Sequence, residues 1–219
     1  MDRMTAAASP LSKDQWRALD ALVKRADEDR WLSSRYAPAD KRRALITLYA
    51  YNYELAKVRT TVSEPGLGAI RFQWWRDALD EIEAGAMDRK HDVAMALDDL
   101  IRARGFSVLV ARRMLDAHES AFEEGDRSKE PEALLMSAAA NQLAMTHSWG
   151  QTIGELAPAY AAARRGDTKA FGPVVPKAPS LIRPALAHAA LRYNYASGLS
   201  MGPVSKRMLI MRAMFSGKV

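Results

Sequence analysis

Nowhere along the chain do apolar and polar residues alternate with period two through a β-branched stretch, whereas apolar residues recur every three to four positions in segment after segment. A half-buried strand needs the first pattern and an amphipathic helix the second, so an all-α fold is expected. Ser12-Lys13-Asp14-Gln15 has the form of a capping box, and Trp16, Leu19, Leu22 and Val23 follow at helical spacing. Pro38 suits the first turn of a second helix whose Leu45, Leu48, Tyr49, Leu55 and Val58 share a stripe, and which should stop at Ser63-Glu64-Pro65-Gly66. A third helix is predicted from about Leu67 to Ala84, with Ile70, Trp74, Ala78 and Ile82 on one face and Gly85 as its stop.

Val93, Leu97, Leu100 and Ile101 mark a fourth helix closed by Gly105, and Val108 to Phe122 a fifth ended by Gly125. Glu132 to Leu156 reads as one long Ala- and Leu-rich helical segment. Pro173, Pro176, Pro179 and Pro184 forbid regular helix across Gly166 to Pro184, which is predicted to be a loop. Ala185 to Ala196 and Ser205 to Phe215 read as the last two helices. Met201, Met208, Met211 and Met214 at this end are expected to serve ordinary helix packing, the alternative being an adaptable binding surface.

A chain of 219 residues can bury a single core, so residues 1–219 are expected to form one domain, with residues 1–11 flexible. The absence of cysteine excludes a disulfide framework, a thiolate nucleophile, an iron–sulfur cluster and a Cys-based zinc site. His91, His118, His147 and His188 show no i, i+3 or i+4 pairing, which argues against zinc. Met1 to Pro10 carries no signal-peptide run, and no window approaches the roughly 20 apolar residues of a membrane span, so the expected compartment is the cytoplasm.

Charge is uneven. Residues 1–130 hold 22 basic and 23 acidic side chains, whereas residues 131–219 hold 10 basic ones against Glu132, Glu155 and Asp167. A basic surface suits nucleic acid, anionic lipid, diphosphates or an acidic protein. No recognition motif or aromatic–basic stripe accompanies the charge, so nucleic acid is not the expected partner.

The run Tyr36-Ala37-Pro38-Ala39-Asp40-Lys41-Arg42-Arg43-Ala44-Leu45, then Leu48-Tyr49-Ala50-Tyr51-Asn52, then Ile70-Arg71-Phe72-Gln73-Trp74-Trp75-Arg76-Asp77-Ala78-Leu79, resembles the squalene/phytoene synthase family. The resemblance implies the all-α isoprenoid synthase fold and head-to-head condensation of prenyl diphosphates on Mg²⁺ held by two Asp-rich clusters. Hard cations that neutralise a leaving diphosphate want carboxylate oxygens. Counted from Tyr49-Ala50-Tyr51, the first cluster should fall near Ala56, Lys57 and Thr60, where no aspartate stands. The three scattered acids after residue 130 cannot form the second. The Pro-rich stretch sits where the helix bearing that cluster belongs, so the C-terminal half is expected to be a shortened version of the fold, with apolar faces left needing cover. Asn52-Tyr53-Glu54-Leu55-Ala56-Lys57-Val58-Arg59 with Gly68-Ala69-Ile70-Arg71-Phe72-Gln73-Trp74-Trp75 is similar to the branch related to assembly factors of respiratory complex I.

The resemblance and its departures lead to the expectation of a catalytically inactive member that binds or assembles a membrane complex, peripheral to the inner membrane, with no cofactor. The alternative is an active Mg²⁺-dependent prenyltransferase using Glu54, Asp77 and Asp80 as residual ligands. Against that, Glu54 can pair with Lys57 or Arg59, and Asp77, Asp80 and Glu81 can form a solvated acidic face. Candidates for an isoprenoid-like or lipid ligand are Arg42, Tyr49, Tyr53, Arg71, Trp74 and Trp75. Arginine forks suit phosphate oxygens, although Arg42, Arg43, Arg71 and Arg76 equally suit salt bridges. Trp74 and Trp75 point about 100° apart, so one is expected in the core and the other free for a partner or an apolar cavity. Arg164-Arg165 with Lys169 and Lys177 could meet anionic membrane or an acidic protein, although basic clusters near loops are more commonly inert.

Overall fold

The computed structural model describes residues 11–62 and 64–219, and no strand occurs among them. The first helix, α1 (Lys13–Ala26), begins with the predicted capping box: Ser12 Oγ accepts from the Gln15 backbone N–H, and Gln15 Oε1 accepts from that of Ser12 at 2.9 Å. The flexibility expected of residues 1–11 concerns residues outside the described ones, apart from Leu11, which is buried in the core. A short helix that the sequence pattern does not predict, α2 (Glu28–Ser34), is N-capped by Asp27.

The axis of the fold is α3 (Ala39–Thr61), in which every residue from Ala44 to Tyr51 is buried. A helix with no polar face must be surrounded. It packs against α1, α2, α4 (Pro65–Glu83), α5 (Asp92–Arg104), α6 (Val108–Glu123) and α7 (Glu132–Leu143). Two of its buried polar side chains are satisfied within this shell: Thr47 donates to the Arg43 carbonyl and Tyr51 to the Ala111 carbonyl, both at 3.0 Å. The expected stop at Ser63 lies outside the described residues.

Helix α4 corrects half of the expected face. Ala78 and Ile82 are buried as expected, but Ile70 is 66% exposed and Trp74 half-exposed, and the buried row is completed by Gly68, Phe72, Trp75 and Leu79. The cause is α6, which lays Phe122 across Gly68 so closely that a Cβ there would stand 2.2 Å from the ring. The predicted stop after α5 is in place, with Gly105 left-handed at φ 65°.

The single helix expected over 132–156 is two, α7 and α8 (Gly150–Arg164), which pack on each other. The break at 144–149 lets Trp149 enter the core and turns α8 back onto α7, apolar burial that a straight helix could not reach. No helix forms between Asp167 and Pro179, as the prolines require. Helical turns resume at Ser180, earlier than expected, because Pro184 sits in the first turn of α9 (Arg183–Leu186), where its missing N–H costs nothing. The chain continues through a 3₁₀ stretch into α10 (Arg192–Ala196) and ends with α11 (Pro203–Ser216).

Two arginines, Arg192 buried and Arg183 partly so, tie down this region. Arg192 donates to the Phe171, Pro173 and Ala189 carbonyls, and Arg183 caps the last carbonyls of α11 at Met214 and Phe215. The methionine expectation is corrected here: Met208 is 60% and Met211 44% exposed, and only Met201 and Met214 pack against the core.

Candidate functional site

The residues singled out in the sequence separate into three places. At one side of the bundle, α2, α3 and α8 line a half-open cavity of about 230 Å³ with the short turn before α7. Its lining includes Tyr49, Asn52, Tyr53 and Ala56 from α3, and five arginines (Arg30, Arg59, Arg127, Arg164, Arg165) against three carboxylates (Asp27, Glu130, Glu132).

Every one of those carboxylates is engaged. Asp27 accepts from Arg30 at 2.6 Å and from Arg164 at 2.8 Å. Arg30 also pairs with Glu132 and lies over the faces of Tyr49 and Tyr160 at 6.0 and 5.6 Å. Glu130 serves Arg59, Arg127 and Arg165 together. Burial alone would raise the Asp27 carboxyl, but the Arg30 and Arg164 guanidinium groups hold it well below the usual carboxylate range. Beside this cluster, buried Asp29 accepts from Tyr160 at 3.0 Å, Tyr195 at 2.6 Å and Lys206 at 2.9 Å.

Three buried polar atoms near the cavity have no hydrogen-bond partner: Arg30 Nε, Tyr49 Oη and His118 Nδ1. Burial pushes the Tyr49 phenol up, against the pull of Arg30, so it stays protonated. His118 Nε2 sits 2.9 Å from Asn52 Oδ1, and burial, reinforced by Arg59 and Arg30, pulls its imidazole down to about 3. A neutral His118 then donates through Nε2, leaving Nδ1 as a bare acceptor.

The second place is a pocket of about 290 Å³ between α3, α4 and the start of α5, lined by Glu54, Lys57, Arg71, Trp74, Trp75 and His91 with aliphatic neighbours. Trp75 is buried and meets Tyr51 edge-on at 5.1 Å, while Trp74 stays half-exposed between the His91 ring and the Arg89 guanidinium. Trp75 is thus the core member of the pair and Trp74 the more exposed one. Arg71 is exposed and has no ion pair among the described residues. The third place is a groove along α1 and α3 that holds Arg42, whose guanidinium donates to the Arg35 and Ala37 carbonyls.

The residual metal candidates do not come together. Glu54 pairs with Lys57 at 3.4 Å, Asp77 accepts from Gln73 at 2.7 Å, and Asp80 is held by Arg112 at 2.6 Å. Of the positions where the family's first aspartates would stand, Ala56 faces the charged cavity, Lys57 lines the aromatic pocket, and Thr60 is exposed. Among the described residues no three His, Asp or Glu side chains gather to hold a metal ion. A cavity rich in guanidinium, with its carboxylates already paired, does not fit Mg²⁺.

Sequence reasoning missed Arg30, Asp29 and Glu130, whose partners lie far along the chain. An external partner is one reading of Arg164 and Arg165, and the structure spends both on Asp27 and Glu130.

Comparison with known proteins places these features. Residues 23–166 match the squalene/phytoene synthase family, and that span contains every residue lining the charged cavity. The rat protein named NADH dehydrogenase (ubiquinone) complex I, assembly factor 6, is 28% identical over 121 residues, which is 55% of this chain and 36% of the rat protein. Its human counterpart is 36% identical over 61 residues, covering 28% of this chain and 18% of its own. The matched stretches thus span about a third or less of these relatives. No solved structure matches the chain. No helix among the described residues is long and apolar enough to cross a membrane.

Proposed function

The chain belongs to the squalene/phytoene synthase family, and from that premise we propose that it acts as a non-catalytic binding or assembly factor for a membrane respiratory complex. The supporting observation is the charged cavity. Prenyl diphosphate chemistry needs carboxylates free to bind Mg²⁺ and an apolar chamber for the chain being joined. The interior here supplies guanidinium groups in excess, and Asp27, Glu130 and Glu132 are each committed to arginine. A divalent cation would have to displace those arginines, and it would leave the buried Arg30 guanidinium without partners, which costs several kcal/mol.

The relatives' shared description as complex I assembly factors supplies the positive half of the reading. The half-exposed Trp74, with Arg71 and Ile70 beside it, offers the kind of aromatic anchor that protein partners use. Deleting the gene in its own host should lower NADH:ubiquinone oxidoreductase activity in isolated membranes. An Asp77→Asn/Asp80→Asn chain should restore that activity as well as the natural one. Failure of that variant to complement, with its fold intact, would favour the metal-dependent transferase instead.

A further inference from the structure

The outer face of α11 is apolar where an outer face should be polar. Val204, Met208, Met211 and Phe215 are 68%, 60%, 44% and 78% exposed. They stand at i, i+4, i+7 and i+11, so at 100° per residue they fall within about 60° of one another. Ile210 and Ala213, the buried positions, lie on the opposite side and seat the helix on the core. Arg207 and Arg212 stand about 40° beyond either edge of the ridge, exposed and without an ion pair among the described residues.

On the Arg212 flank of the helix lies a groove of about 600 Å³, lined by Val174, Val175 and Tyr193 and carrying Lys177, Arg212 and Lys218. From Thr168 to Val219 the chain contains no acidic side chain at all. The interior has already used Arg183, Arg192 and Lys206, so the cations left over all face outward.

We propose that this face docks on an anionic phospholipid bilayer, with the α11 ridge entering the headgroup boundary and Arg207, Arg212, Lys177 and Lys218 meeting lipid phosphates. A short straight ridge flanked on both sides by arginine matches a helix lying in a membrane interface, because the long side chains reach up to phosphate while the ridge enters apolar depth. A second copy is a poor occupant, since two faces of the same unbalanced charge repel. A partner protein would need discrete pairings, whereas this surface offers a diffuse field of one sign, which suits a lipid surface. The inference is independent of the assembly reading and stands even if complex I does not need this chain.

The test is co-sedimentation of the full chain with vesicles of phosphatidylcholine alone and of phosphatidylcholine with phosphatidylglycerol at three to one. The chain should bind the anionic vesicles at least about tenfold better than the neutral ones, and lose most of that preference at high salt. Met208→Ser/Met211→Ser/Phe215→Ser should weaken binding about tenfold or more while leaving the circular dichroism spectrum unchanged. Should that variant misfold, Arg207→Gln/Arg212→Gln decides, and it should remove most of the preference for anionic lipid. No binding to anionic vesicles, or variants that bind like the natural chain, would overturn the proposal. A dimer that the ridge variant dissociates, with no vesicle binding, would overturn it in favour of a second copy.

Discussion

The charged cavity and the α11 face are both rich in arginine, and they spend it in opposite ways. In the cavity Arg30, Arg59, Arg164 and Arg165 reach carboxylates on other elements and are held there, half or fully out of water. On α11 Arg207 and Arg212 have no such partner among the described residues and border an exposed apolar ridge. An ion pair inside the bundle fixes how α2, α3, α7 and α8 sit together, whereas an unpaired cation on a surface remains available to something outside. The same residue type thus serves architecture in the family-matched segment and recognition beyond it.

Breaking the interior network should give the largest effect. Arg30→Ala would leave the Asp27 and Glu132 carboxylates in the cavity without it, at a cost of about 3–5 kcal/mol in urea denaturation. A neutral outcome would mean that the cavity is wetter and its pairs weaker than drawn here.

Acid should sharpen the same contrast. His118, held down to about 3 chiefly by burial, ordinarily titrates near 6.5, so below that pH the unfolded chain binds the extra proton. Stability is then whole above about 6.5 and falls with decreasing pH, by about 2 kcal/mol from His118 alone at pH 5. His188, fully buried against Tyr160 and pulled down for the same reason, adds in the same direction. Denaturation at pH 7 and pH 5 checks this, and His118→Gln should make the difference smaller.

The smallest effect on stability belongs to α11. Met208→Ser/Met211→Ser/Phe215→Ser removes side chains that face water, and should change the unfolding free energy by no more than about 0.5 kcal/mol per position. A large loss would show that the ridge already packs on the chain itself.

Local signals were legible and long-range ones were not. The Ser12–Gln15 box and the Gly105 stop depend on neighbours within one turn, and both are where the residues put them. On α4 the inward face is set by distant partners, Phe122 of α6 against Gly68 and Phe72 and Tyr51 of α3 against Trp75, while Ile70 stays exposed. The break before Gly150 carries no proline and is set by the packing of α8 on α7. The interior cluster was beyond reach for the plainest reason: Arg30 meets Glu132 across 102 residues and Asp29 meets Lys206 across 177. Of the candidate ligand residues, Arg71, Trp74 and Trp75 converge, because α4 carries all three within two turns. Tyr49 and Tyr53 turn toward the arginines instead, and Arg42 is bound to the Arg35 and Ala37 carbonyls.

The central claim is that the bundle interior has exchanged metal-dependent chemistry for ion pairs. Isothermal titration of the purified chain with farnesyl diphosphate, in the presence and absence of Mg²⁺, tests it most directly. The account predicts no Mg²⁺-dependent heat of binding. Mg²⁺-dependent binding at about micromolar affinity, lost in Asp77→Asn/Asp80→Asn, would contradict it.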